Sequence, residues 1–69
     1  MAQRGMRLPN LKTLRLRAGM TQGELAEASE VAASTINRIE RLDAPAEVRT
    51  ARALAQAIGC NVADLMGEQ

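Results

Sequence analysis

Residues 21–41 read TQGELAEASEVAASTINRIER, and the fold turns on whether this stretch is two short helices with a turn between them. Thr21 is a good N-cap residue and Glu24 stands three positions on, the spacing of a capping box that satisfies two otherwise orphaned N–H groups. A helix is therefore expected from Gln22 to about Ser29, with Leu25 and Ala26 inward and Glu24 and Glu27 in water. After a break at Glu30 and Val31, Ile36 and Ile39 mark the core face of a second amphipathic helix, with Ser34, Asn37, Arg38 and Arg41 on its other faces. Two short helices joined by a turn of three to four residues make the helix-turn-helix pattern. Leu25, Ala26, Val31, Ile36 and Ile39 are apolar or small where two such helices would cross.

The same reading extends outward in both directions. Upstream, Pro9 suits the first turn of a helix, Leu11, Leu14 and Ala18 follow on one face, and Gly19 supplies the stop. Downstream, LDAPAE (residues 42–47) reads as a loop, and Val48, Ala51, Leu54, Ala55 and Ile58 trace a helix ending at Gly59. Asn61 with Asp64 caps a last short helix that carries Val62, Leu65 and Met66. The expectation is an all-α, compact five-helix domain over residues 8–69, preceded by a flexible basic arm over residues 1–7.

Composition narrows what such a domain can do. With 69 residues there is room for one core, and a chain this short buries only about 60% of the surface its unfolded form exposes. Phe, Tyr and Trp are absent, so Leu, Ile, Val, Met and Ala must fill that core; Met20 is expected in it. His is also absent and Cys60 is the single cysteine, which removes the usual ligands for structural zinc, the usual general base and any intramolecular disulfide. Cys60 reads as a small packing residue, not a redox sensor. No enzyme, cofactor, metal or small-molecule ligand is expected. The start MAQRGMRLPN lacks a secretory apolar run and no segment approaches the roughly 20 apolar residues of a membrane span, so a cytoplasmic placement is expected. The net charge is only +1, yet residues 1–17 hold Arg4, Arg7, Lys12, Arg15 and Arg17 with no acid. Arg4 and Arg7 fit a solvated tail and a binding arm equally well.

A resemblance covers roughly residues 8 to 66. LKTLRLRAGMTQGELAEAS (11–29), TINRIE (35–40) and LAQAIGCNVADLM (54–66) resemble the phage repressor and Cro family of helix-turn-helix regulators, also called the xenobiotic-response-element family. The resemblance implies sequence-specific binding of double-stranded DNA by a transcriptional regulator, in the first instance a repressor, with the third helix in the major groove. It implies base contacts from Ala33, Ser34, Asn37 and Arg38, and phosphate contacts from Thr21, Gln22, Thr35 and Arg41. At Gln22 the partial positive charge of a helix N-terminus would add to the amide donors. It also implies a structural ion pair between Arg15 and Glu40. Arg38 taken alone is a solvated surface charge; within the motif it can make a bidentate contact to guanine, and Ala33 can touch a thymine methyl. Ser34 is either an ordinary first-turn residue or a contact to base or phosphate.

The sequence also departs from the family pattern. Glu30 stands where a glycine usually lets the turn go left-handed, at a cost of roughly 1 kcal/mol. Ala32 stands where Ser or Thr usually caps the next helix, at a cost on the order of 1 kcal/mol. Ser29 replaces a usual apolar residue, and Asp43 and Glu47 make the following loop acidic. One such domain reads a half-site, so a homodimer on a palindromic operator is expected, paired through the exposed part of the last helix around Val62, Leu65 and Met66 or only on DNA. The competing expectation is an antitoxin-like protein-interaction module of the same fold, whose signature would be an extra partner-wrapping segment.

Overall fold

The computed structural model describes residues 5–67. Five helices follow in order: α1 (Leu11–Arg17), α2 (Gln22–Ser29), α3 (Ala33–Leu42), α4 (Val48–Ile58) and α5 (Val62–Met66). The domain is all-α, and α2 packs against both α3 and α4 while α1 packs against α3 and α5. Leu8, Leu11, Leu25, Ile36, Leu54 and Leu65 are almost wholly excluded from water, and each such burial contributes about 1.5–3 kcal/mol. Ala51, with no exposed surface, keeps the α4 contact close. Met20, Ala26, Val31 and Cys60 pack against this core from its edge. Among the described residues no helix is long and apolar enough to cross a membrane.

The helix ends follow from local chemistry. At α2 the Thr21 hydroxyl accepts the Glu24 N–H at 3.0 Å and the Glu24 carboxylate accepts the Thr21 N–H at 2.9 Å, so the capping box is complete. At α5 the Asp64 carboxylate accepts the Asn61 N–H at 3.1 Å. Gly59, at φ 92, ends α4 in the left-handed region, and the N–H groups of Gly59 and Cys60 both return to the Ala55 carbonyl. Pro9 lies in the turn ahead of α1 and not inside it. Asn10 takes the cap position, but its side chain reaches across to the Asp64 carbonyl at 3.1 Å and ties α1 to α5.

Three features differ from the sequence expectations or add to them. Leu65, assigned to an exposed pairing surface, has no exposed area; its side chain closes the core, and Val62 and Met66 pack against it. Ala18, expected on the inward face, is exposed at the C-terminal end of α1. The 42–47 stretch is more than a connector, because Ala46 is buried and exchanges two backbone hydrogen bonds of 2.8 Å with Met6. Gly5 permits this approach: a Cβ there would lie 2.6 Å from the Pro45 Cβ. Of the basic arm, residues 1–4, Arg4 among them, lie outside the described residues, whereas Met6 and Arg7 run along the α3–α4 loop.

Candidate nucleic-acid interface

The site is built on α3. Ile36 and Ile39 are buried and fix the rotation of this helix against α2. That rotation leaves Ser34, Arg38 and Arg41, spaced i, i+4 and i+7, on one exposed stripe. Ala33, also exposed, and Asn37, half-buried, form the flank beside it. Thr35 lies on the opposite flank, where it lines an open groove with Ala32 and Val31 and with Arg49 and Thr50 from the first turn of α4. Among the described residues Arg38, Arg41 and Arg49 make no salt bridge, so their charges are available to a ligand.

Beneath the Asn37 flank lies a connected set of polar side chains. The Arg15 guanidinium donates from Nε to Glu40 Oε2 at 2.7 Å and from Nη2 to Glu40 Oε1 at 3.0 Å, a two-point contact, and from Nη1 to the Met20 carbonyl at 2.8 Å. The Arg15 and Glu40 side chains keep only 8% and 2% of their exposure, so this is a buried pair and not a surface one. The structural ion pair implied by the resemblance is thus formed in this geometry. Burial pushes the Glu40 carboxyl up, but hydrogen bonds from Arg15 and Gln22 and the charges of Arg15 and Lys12 together hold it below the ordinary glutamate value. Its hydrogen bond to Glu40 raises Arg15 despite burial.

Gln22 extends this set to the protein surface. Its Nε2 donates to Glu40 Oε1 at 2.9 Å, and its Oε1 accepts from Asn37 Nδ2 at 3.3 Å. Two residues assigned from sequence to different DNA contacts, one to phosphate and one to a base, are therefore bonded to each other. Thr21 is exposed beside Gln22; its hydroxyl oxygen is engaged in the cap while its own proton remains a possible donor.

The turn between α2 and α3 lacks comparable support. Glu30 adopts φ 61, ψ 28, the left-handed conformation for which a non-glycine residue is strained. Ala32 caps α3 without a side-chain bond. Ser29 compensates in part, since its hydroxyl donates to the Leu25 carbonyl at 2.6 Å and accepts the Val31 N–H at 3.2 Å. Asp43 is also left-handed, at φ 54, and its carboxylate pairs with Arg7 at 3.6 Å. That contact is exposed on both sides and adds little stability, but it offsets the acidic charge of the loop.

Arg49 was not among the residues singled out from the sequence. Its position in the first turn of α4 carries no motif, and only the packing of α4 brings it to the groove beside Thr35. Cys60 is half-buried, and burial together with the Asp64 charge raises its thiol, which suits a packing role. Among the described residues no three His, Cys, Asp or Glu side chains come together to hold a metal ion.

The helix-turn-helix family model matches residues 11–65, a span that runs from the first residue of α1 to Leu65 in α5 and so takes in every element of the site. No curated protein matches the chain. With the exposed α3 stripe, the capped α2 N-terminus and the Arg15–Glu40 pair all inside the matched span, the chain belongs to the Cro/C1-type helix-turn-helix family of DNA-binding regulators, the xenobiotic-response-element family.

Proposed function

We propose that the protein is a sequence-specific repressor that lays α3 in the major groove of duplex DNA. The observation that carries this reading is the exposed stripe of Ser34, Arg38 and Arg41, flanked by the α2 N-terminus on one side and Arg49 on the other. Arg38 is the principal base reader, through a bidentate contact to guanine, while Ser34 and Ala33 supply a short polar contact and an apolar one. Thr21, Gln22, Thr35 and Arg41, joined by Arg49, grip the phosphates and set the register. So few long side chains on the stripe leave much of the selectivity to DNA shape. Two copies occupy half-sites about 34–36 Å apart on a palindrome. The burial of Leu65 favours pairing on the DNA over pairing through α5.

Selection from a randomised duplex pool, followed by binding across salt concentrations, tests the reading. A palindrome bound many-fold tighter than random DNA, with a steep salt slope, is expected. Arg38→Ala is expected to lose about 1–3 kcal/mol of discrimination at one base pair of each half-site. If no motif emerges and Arg38→Ala binds as the parent does, the base-reading claim fails.

A further inference from the structure

We infer that Asn37 is a positioning residue that orients Gln22 toward the DNA backbone, and that it does not itself read a base. The inference rests on the DNA-binding reading above and deepens it. An ionised carboxylate can only accept hydrogen bonds, so the buried Glu40, already holding Arg15, fixes which end of the Gln22 amide faces it: Nε2 points inward at 2.9 Å. Gln22 Oε1 must then face the other way, where Asn37 Nδ2 donates to it at 3.3 Å. Both ends of the amide are held, one by α3 through Asn37 and one by the α1–α3 ion pair through Glu40. The second Nε2 proton has no acceptor among the described residues. It sits at the first position of α2, where the helix N-terminus favours an anionic phosphate oxygen.

The placement of Asn37 on α3 agrees. It is half-buried on the flank toward α2, one turn after Ala33, whereas Ser34, Arg38 and Arg41 are exposed. The bond to Gln22 takes one of the two Nδ2 protons and fixes the direction of the Asn37 amide toward α2. A free asparagine could swing into the groove; this one is tethered.

The experiment compares the parent with Asn37→Ala, Gln22→Ala and the double variant. In the DNA-free protein, nitrogen-15 spectra of the side-chain amides should show the Gln22 Nε2 resonances displaced by Asn37→Ala. Against a randomised duplex pool, Asn37→Ala should bind about three- to tenfold more weakly, the worth of one hydrogen bond, with base preferences unchanged at every position. Asn37→Ala should add nothing further in the Gln22→Ala background. A changed preference at a single position, with losses that add, would make Asn37 a base reader and overturn the inference. An unmoved Gln22 amide would overturn it whether or not DNA binds. A parent protein that selects no motif, with the Gln22 amide still displaced by Asn37→Ala, would instead sink the DNA reading and with it the phosphate role, leaving the tether alone.

Discussion

The seam between α1 and α3 and the turn between α2 and α3 support the same helix, α3, in opposite ways. At the seam a buried guanidinium makes three hydrogen bonds to Glu40 and Met20, and no buried side-chain nitrogen or oxygen among the described residues lacks a partner. At the turn a glutamate takes a left-handed conformation and an alanine caps the helix. The contrast teaches that the geometry of the motif is held by its apolar crossing and its buried pair. The turn follows from that packing and is not what enforces it.

The largest effect expected from breaking this contrast is at the seam. Arg15→Ala leaves the Glu40 carboxylate buried without its cation and should cost on the order of 3–5 kcal/mol, enough to threaten a domain of this size. Thermal or urea unfolding reads it. Arg15→Ala combined with Glu40→Ala should cost less than the two single losses added together, because no unpaired charge remains. A thermal melt unchanged in Arg15→Ala would show that the pair contributes nothing.

Acid probes the same pair without mutation. Folding holds the Glu40 carboxyl below its ordinary value of 4.5, so the folded state binds this proton less readily than the unfolded chain does. The stabilisation is therefore complete above about pH 4.5 and is lost as pH falls through the depressed folded value. Unfolding curves between neutral pH and pH 3 should show this loss, and Glu40→Gln should flatten that part of the profile.

Smaller effects are expected at the turn, and there with the opposite sign. Ala32→Ser supplies the missing cap and should stabilise by about 1 kcal/mol, read as a rise in Tm. Glu30→Gly relieves the left-handed strain but loosens the unfolded chain, so its net gain should stay below about 1 kcal/mol. If either substitution destabilises the protein, the turn is doing more than following the packing around it.

What could be read from sequence divides along the range of the interactions involved. The Thr21–Glu24 cap, the stop at Gly59 and the inward Ile36 and Ile39 depend on residues within one or two turns, and all were legible. Resemblance to the family pointed to the Arg15–Glu40 pair, which local spacing alone could not. The link from Gln22 to Asn37 was not legible, since it depends on how α2 crosses α3 and joins residues that were given separate roles. The Met6–Ala46 pairing was missed because a single two-bond bridge between distant segments leaves no periodic trace. Leu65 was misplaced for a related reason: in a helix of five residues, periodicity does not say which face meets the core.

The most direct test of the central claim is a titration of the nitrogen-15-labelled protein with the duplex it selects, followed residue by residue. Expected are the largest shifts at Ala33, Ser34 and Arg38, with smaller ones at Gln22 and Arg49, and none across α5. Shifts centred on α5 or on the outer face of α1, with the α3 stripe unmoved, would contradict recognition by α3.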